Sequence, residues 1–466
     1  MRVGEHKVHP CGMLVLTMPR QKVDPIREDG LKILRRTESA LSFPKILIEY
    51  SVERMAPTAR ERAFEYQLVI GTLRQRGTLD WALGKLCDIP VEQLTPWIRN
   101  ILRMGLYQIL FLDRVPQSAA VDESVKLAKR YGHRGTAGLV NAVLRNARKE
   151  DLLRELNSLD EESVPNLAAK YSHPEWLVEL LIAEWGKQRA VEIMRSNNAI
   201  PPLTARVNTL RTSRETFLRE LEAEGVQAKP LPHVRDGIEF GPSSAPWRLP
   251  AHERGLFYLQ DASSMLAALC LGAEPGQTIL DACSGPGGKA VHLAALMRNK
   301  GKIYALDLYE HRLNLVRENA SRLGAAIIEP RLQDATLDLS KDYAGVDAAI
   351  VDAPCSSLGV IRRRVDLKWR LRPEQIVELA RLQRSILGRA AECVRSGGVL
   401  LYCTCTITRE ENAGVVKGFL EGHADFELDR KFPAGIARYL TEDGLVQILP
   451  GVENMDGFFI ARLRRL

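Results

Sequence analysis

From about residue 266 onward, four short apolar runs are separated by longer segments with helical spacing. The runs are Thr278-Ile279-Leu280, Lys302 to Leu306, Ala348 to Val351 and Gly398 to Tyr402. Antiparallel strands can be joined by a two-residue turn, but parallel strands need a crossover of a dozen residues or more, usually a helix. The alternation therefore restricts this region to βαβ units around a mainly parallel sheet, an α/β fold of Rossmann-like type.

Upstream, the pattern changes twice. To about residue 165 it is helical. Ile98, Ile101, Leu102, Leu106 and Ile109 recur at helical spacing behind Thr95, a good N-cap, and Pro96, which suits a first helical position. Val121, Val125 and Ala128 form a second stripe ending before Gly132, and Leu139, Val140, Val143 and Leu144 form a third. An all-α domain is expected over residues 22–165. Between 166 and 265 a helix around Trp176 to Trp185 gives way to short segments broken by Pro201, Pro202, Pro230, Pro232, Pro242, Pro246 and Pro250. Such density ends long helices, so a small α+β connector domain is expected there, followed by the α/β domain over 266–466.

With 466 residues, 45% of them hydrophobic, the chain has material for three packed domains, and a disordered chain is excluded. Residues 1–21 are expected to be a disordered extension. Met13 to Met18 is too short for a signal-peptide core, and no stretch nears the roughly 20 apolar residues of a membrane span. Eight cysteines show no disulfide framework, which points to a reducing cytoplasm.

The first run of the α/β domain leads into Asp281-Ala282-Cys283-Ser284-Gly285-Pro286-Gly287-Gly288-Lys289, followed by Val291, Leu293, Ala294 and Leu296 at helical spacing. Glycines let the backbone approach a ligand closely, and the helix N-terminus behind them favours negative charge, so a nucleotide-like cofactor is expected. A phosphate loop of the NTPase type is excluded, because Cys283 stands where it needs glycine and Ala290 where it needs Ser or Thr. The dinucleotide pattern survives in weak form through Gly285, Gly287 and Ala290. Asp307, after the second run, is placed to accept from both hydroxyls of a ribose. Asp334 follows the next apolar segment, where an adenine amino group can be held. Adenosyl and NAD cofactors both satisfy this series.

Two of the runs lead into cysteines, one in Asp352-Ala353-Pro354-Cys355 and one in Cys403-Thr404-Cys405. In a parallel sheet both arrive at the C-terminal edge, where ligands bind. A metal pair lacks Cys-x-x-Cys and a histidine cluster, and Cys270 and Cys393 read as packing residues. Cys403 and Cys405 would share one face of a regular strand, which leaves the turn to decide which of them reaches a cleft. Two thiols beside an S-adenosylmethionine site suit methylation at carbon 5 of a pyrimidine. A thiolate added at carbon 6 makes an enamine whose carbon 5 can take a methyl group; loss of the carbon 5 proton then expels the thiol. A free thiol, with a pKa of about 8.5, is mostly protonated at neutrality, so Lys289, a sulfonium or loop N–H groups should favour the anion.

Asp281 to Lys289, Asp307, Asp334, Asp352 to Cys355 and Thr404-Cys405 together resemble the RNA 5-methylcytosine methyltransferases of the Nol1/Nop2/Sun family. The resemblance implies a class I methyltransferase domain and S-adenosyl-L-methionine as cofactor. It implies Cys405 as nucleophile, Cys355 as the thiol that assists release, and Asp352 near both the cytosine ring and the methionine end of the cofactor. Lys289 joins these as a catalytic candidate. The implied cofactor set is Asp281, Cys283, Ser284, Gly285, Pro286, Gly287, Gly288, Lys289, Asp307, Arg312, Asp334 and Asp352, with no metal. Arg206-Val207-Asn208, Gln260-Asp261 and Asp456-Gly457-Phe458-Phe459 are further landmarks.

The helical third is similar to the NusB RNA-binding fold in Asp80-Trp81, Val115-Pro116, Ala120 to Val125 and Gly138 to Arg145. A NusB-like domain ahead of this module implies 16S ribosomal RNA as partner, free or in an assembling particle; the three domains show no unexplained seam pattern, so a monomer is expected. There are two departures from the family pattern. Ser284-Gly285 replace the commoner Ala-Ala, and Arg364-Val365 stand where a His/Asn-Pro pair usually precedes Asp366.

Arg362, Arg363, Arg364, Lys368 and Arg370, with Arg372 and Trp369 among them, form the densest basic cluster and are expected to contact RNA phosphates. The formal charge of +7 is unevenly spread: residues 1–170 hold 27 Lys+Arg against 21 Asp+Glu, and the remainder 38 against 37. The basic N-terminal domain is therefore expected to help hold RNA. Two other functions fit parts of the sequence: an NAD-dependent oxidoreductase, and a non-enzymatic RNA-binding or antitermination factor.

Overall fold

The computed structural model describes residues 23–39, 43–242 and 244–466. The extension expected over residues 1–21 lies outside the described residues. The chain divides into two compact units at Leu159/Asp160.

The described residues of the first unit are helical. Helix Pro96–Phe111 is buried on nearly every side from Ile98 to Leu110 and packs against helices Pro25–Ser39, Ala59–Arg74, Gln117–Tyr131 and Arg134–Asn146. A helix that is apolar all round belongs at the centre of a bundle. It begins as its sequence predicts: the Thr95 hydroxyl accepts the Ile98 N–H, and Pro96 takes the first turn, where its missing donor costs nothing. Its one buried cation, Arg103, is held by Asp80 at 2.6 and 2.8 Å and by Glu38 at 3.3 Å.

The connector and the α/β region, expected as separate domains, form one compact unit from Asp160 onward. The helix expected around Trp176 to Trp185 runs from Glu175 to Asn198 with a break at Gly186 (φ 73°). Its apolar side packs with Leu358, Ile361, Ile376 and Ile407, which belong to the α/β region. Buried polar side chains join the two parts as well. Arg206 donates to the Gly288 carbonyl at 3.0 Å, and Asn208 donates to the Leu323 carbonyl at 2.8 Å. Within the connector, strands β1 (Leu203–Val207), β2 (Ala228–Pro230), β3 (Gly237–Phe240) and β4 (Phe257–Leu259) form an antiparallel sheet in the order β2-β3-β1-β4.

The large sheet contains β5 (Thr278–Asp281), β6 (Lys302–Asp307), β7 (Ile328–Leu332), β8 (Val346–Asp352), β9 (Val394–Thr404), β10 (Phe426–Leu428), β11 (Val446–Ile448) and β12 (Phe458–Arg465). Its order is β10-β12-β9-β8-β5-β6-β7, with β11 paired to β12. Strands β5 to β9 are parallel, as the alternation of runs and helices predicts, and β12 lies antiparallel to β9. Alternate residues enter opposite cores. Ile279, Ile303, Ile350, Leu401 and Cys403 pack against helices Ala262–Leu271 and Gly288–Leu296; Leu280, Leu306, Val351, Leu400 and Tyr402 pack against helices Pro373–Cys393 and Ala413–Gly422. The chain leaves β5 toward β6 on one side and later returns to β8 on the other. That crevice between β5 and β8 is where open α/β sheets bind ligands.

Candidate active site

Asp281 and Asp352 end the two strands that flank the switch point. Of the expected cofactor residues, Asp281, Cys283, Ser284, Gly285, Pro286, Gly288, Lys289 and Asp352 line one cavity of about 220 Å³, together with Tyr258, Leu259, Gln260 and Ser264 from the connector side. Gly287, Asp307, Arg312 and Asp334 do not line it. Asp307 and Arg312 instead brace the loop: Gly285 N–H donates to Asp307 Oδ2 at 3.0 Å, and Arg312 donates to the Gly285 carbonyl and lies 3.4 Å from the same Asp307 oxygen. A Cβ at Gly285 would sit 2.5 Å from Asp307 Oδ2 and 2.8 Å from Arg312 Nε, which accounts for glycine at this departure from the family's commoner alanine. One oxygen of Asp334 accepts the Thr336 N–H and hydroxyl at 2.9 and 2.7 Å, closing the turn after β7.

The cavity is built for a partner with positive and polar groups. Asp281 is fully buried; the Ser284 hydroxyl and the Cys283 N–H lie close to its carboxylate, but none of these contacts reaches full hydrogen-bond geometry among the described residues. Burial, reinforced by the neighbouring Asp352 charge, pushes the Asp281 carboxyl up to about 7. A desolvated acceptor of this kind is costly unless a ligand donor meets it. Such an acceptor set fits the ammonium-bearing end of S-adenosylmethionine. Opposite, Lys289 donates to Asp352 Oδ2 at 2.5 Å, lies 3.4 Å from the Ser264 hydroxyl, and stands 5.3 Å from the centre of the Phe458 ring. Burial disfavours its ammonium, but Asp352 and the nearby thiols outweigh this and hold Lys289 above the ordinary lysine range.

The β8–β9 register sets Asp352 opposite Cys403, so the chain segments that follow come together. Cys403 faces the core and is fully buried, its sulfur 3.7 Å from Asp352 Oδ1. Cys405 lies just past the end of β9, with its sulfur 3.3 Å from that of Cys355 and 3.4 Å from the Ser357 hydroxyl. Both cysteines are free thiols, partly exposed. The hydrogen bond with Cys355 favours a thiolate at Cys405, and the adjacent Ser357 hydroxyl and Lys289 add to it, so Cys405 is held below the ordinary thiol range in spite of burial. Cys355, as the donor to that thiolate, is pushed well above it. Gly359 closes the arrangement. Its N–H donates to the Cys405 carbonyl at 3.0 Å, its carbonyl accepts from Gly457 N–H at 2.8 Å, and a Cβ there would meet the Gly457 oxygen at 2.3 Å.

Within the expected phosphate-contacting cluster, Arg362 and Lys368 are buried and Arg363 is engaged inside the protein. Arg362 is 2% exposed; it donates to Asp456, to Asn454 Oδ1 at 3.0 Å and to the Asn454 carbonyl at 2.8 Å. Arg363 bridges Asp456 and Asp261, the latter at 2.7 Å. Lys368 is fully buried and donates to Asn198 Oδ1 at 3.0 Å. Arg370 pairs with Asp366 at 3.1 Å, and Arg364 is half-buried. Acidic partners from the connector and the C-terminal loop, far away in sequence, turn Arg362 and Arg363 into an internal clamp. Lone buried cations would be prohibitively costly, so pairing comes with burial.

Sequence reasoning missed the part played by four residues. Ser357 is one of two adjacent serines and carries no signal of its own. Tyr258 and Gln260 come from a different part of the chain. Glu411, inside Arg409-Glu410-Glu411-Asn412, reads as a solvated charged turn yet is fully buried. Among the described residues, no group of three His, Cys, Asp or Glu side chains is placed to hold a metal ion, and no helix is long and apolar enough to cross a membrane.

Comparison with known proteins agrees with this architecture. Residues 268–464 match the family described as 16S rRNA methyltransferase RsmB/F, residues 26–149 the NusB family, and residues 173–242 a ferredoxin-like domain of RsmF/B-like methyltransferases. Among solved structures, PH0851 covers 96% of the chain and 100% of its own, with a TM-score of 0.79 and 26% identity. NSun6 from Pyrococcus horikoshii covers 63% of the chain and 98% of its own, with a TM-score of 0.57 and 26% identity. The "Probable ribosomal RNA small subunit methyltransferase B" of Bacillus subtilis (strain 168) is 36% identical over 95% of the chain and 99% of its own length. With a helical NusB-like domain, a ferredoxin-like connector and a methyltransferase sheet matched in this order, the chain belongs to the ribosomal RNA small subunit methyltransferase B family.

Proposed function

We propose that this protein methylates carbon 5 of a cytosine in 16S ribosomal RNA, with S-adenosyl-L-methionine as methyl donor. The observation that carries the reading is the Cys355–Cys405 pair, sulfurs 3.3 Å apart, at the strand edge that also bears the Asp281–Lys289 loop. Bound in the loop cavity, S-adenosylmethionine supplies an electrophilic methyl group. Asp281 and Ser284 would hold its amino-acid end, and Asp307 and Arg312 would keep the loop in shape around it.

The protein's own groups do the rest. Cys405, the sulfur favoured as thiolate, adds to carbon 6 of the cytosine and makes carbon 5 nucleophilic. The target base must leave its stack to meet this cleft. Asp352, fixed by Lys289, faces the same cavity and is placed to orient the ring. Once carbon 5 is methylated, its proton passes to solvent, the electrons of that bond restore the double bond between carbons 5 and 6, and Cys405 departs as a thiolate. Cys355 is within reach of that sulfur and assists the elimination. The NusB-like unit, which carries most of the net positive charge, supplies additional RNA contact as a monomer.

The test is to incubate the protein with unmethylated 16S ribosomal RNA and S-adenosylmethionine, digest the RNA and identify the modified nucleoside by mass spectrometry. 5-Methylcytidine is expected. A methyl group on a ring or exocyclic nitrogen, or on ribose, would overturn the reading. Titration with NAD and with S-adenosylhomocysteine separates it from a nicotinamide-dependent enzyme, and RNA binding without methyl transfer would favour the antitermination-type factor.

A further inference from the structure

Behind the two cysteines lies a polar network that the reaction as described does not use. Glu411 is fully buried. Its Oε1 accepts the Ser356 N–H at 2.8 Å and Gln383 Nε2 at 3.0 Å; its Oε2 accepts the Ser356 hydroxyl, the Thr408 hydroxyl at 2.9 Å and the Thr406 hydroxyl at 3.3 Å. Ser356 follows Cys355, and Thr406 follows Cys405. Their hydroxyls also meet each other at 2.6 Å. Gln383 extends the tie by donating to the Pro354 carbonyl at 2.9 Å, and Tyr402 donates to the Glu411 carbonyl.

A fully buried carboxylate is retained at a cost unless its hydrogen bonds are complete. Here they are, and every donor sits on or beside one of the two cysteine loops. An amide of the same shape could hold part of this geometry. Only a charge also acts on the sulfurs through the low-dielectric interior.

We infer that Glu411 is a positioning residue of this site: it ties the Cys355 loop to the Cys405 loop, and its negative charge keeps the thiolate on Cys405 and the proton on Cys355. The inference rests on the proposed two-thiol reaction for its purpose, though not for its test. The groups facing the sulfur pair are Lys289 and Asp352 on the cavity side, Ser357 beside both sulfurs, and Glu411 on the Cys355 side. Glu411 disfavours a negative sulfur at Cys355, whereas Lys289 favours one at Cys405.

The experiment uses the full chain without RNA or methyl donor. Iodoacetamide is added at pH 7.5, and alkylation rates of Cys405 and Cys355 are read separately by peptide mass spectrometry. In the unmodified protein Cys405 reacts first. Glu411→Gln should lower the Cys405-to-Cys355 rate ratio about tenfold, the change carried by one unit of relative pKa. Glu411→Asp, which keeps the charge, should restore most of it. Thr408→Val removes one hydrogen bond away from the cysteines and should lower the melting temperature while leaving the ratio intact. If Glu411→Gln does not fold, Ser356→Ala cuts the same tie and should lower the ratio severalfold. A ratio unchanged in the folded variant, or lowered equally by Thr408→Val, overturns the inference. Methyl-transfer assays should show a reduced kcat with the KM for S-adenosylmethionine unchanged. A shifted alkylation ratio in a protein that never forms 5-methylcytidine would leave Glu411's role standing and overturn only the proposed reaction.

Discussion

The sulfurs of Cys355 and Cys405 face each other at 3.3 Å without forming a disulfide, one acting as hydrogen-bond donor and the other as acceptor. Two equivalent thiols would compete for the same carbon. An asymmetric pair has one nucleophile from the start. The asymmetry comes from Ser357 and Lys289 on the Cys405 side and Glu411 on the Cys355 side.

Removing either thiol should therefore have a different consequence. Cys405→Ala should abolish methyl transfer and form no covalent complex with RNA. Cys355→Ala should add to the base but release it slowly, and so accumulate a protein–RNA adduct visible on a denaturing gel. An adduct with the first variant and none with the second would reverse the assigned roles.

Ser357→Ala should raise the pH at which Cys405 becomes reactive. In the folded protein Cys405 lies below the ordinary thiol range, because the Cys355 S–H and then the Ser357 hydroxyl stabilise its anion. Alkylation of Cys405 should thus be half-maximal below the roughly 8.5 of a free thiol. Loss of the hydroxyl should move that midpoint upward by a fraction of a unit to one unit, a several-fold rate change at neutral pH. A profile identical to the parent's would show that Ser357 contributes nothing.

Asp281 carries a sign that can be read from stability. Its carboxyl is pushed from the ordinary range up to about 7, so the folded state binds a proton more tightly than the unfolded one. That contribution is fully present below about pH 4 and is lost as pH rises to about 7. Asp281→Asn does not titrate. Relative to the parent it should gain roughly 1–4 kcal/mol between pH 4 and pH 8 in denaturant titrations. The same variant should bind S-adenosylhomocysteine at least about tenfold more weakly, since it loses a charged partner for the ligand's ammonium. A pH-independent difference between the two proteins would contradict the burial argument.

Arg362→Ala should act on folding instead of RNA binding. Its removal leaves Asp456 buried beside Asp261 with one cation fewer, which typically costs about 3–5 kcal/mol. Burial and the Asp261 charge already push the Asp456 carboxyl up. In variants that remain folded, the slope of RNA affinity against salt concentration should equal the parent's, whereas a true phosphate contact would reduce it by about 0.7 for a single strand.

Local patterns carried much of this protein's description. The helix at Pro96, its Thr95 cap, the parallel strands β5, β6, β8 and β9, and the glycine loop after Asp281 all follow from interactions within a few residues, where periodicity and capping preferences dominate. Long-range pairing is invisible at that range. Arg362 and Arg363 look like part of an exposed cationic surface until Asp261 and Asp456, about a hundred residues away on either side, are seen to pair with them. Glu411 looks solvated until five donors are found around it. Even between Cys403 and Cys405 the strand period only says that they share a face; the end of β9 and the Gly359–Gly457 contact decide that Cys405 meets Cys355. The order of domains, the cofactor loop and the reactive residue types are legible along the chain because each rests on local pattern. Which charges are buried and which sulfur is favoured as the anion emerge only on folding, because both depend on electrostatic partners that distant parts of the chain bring together.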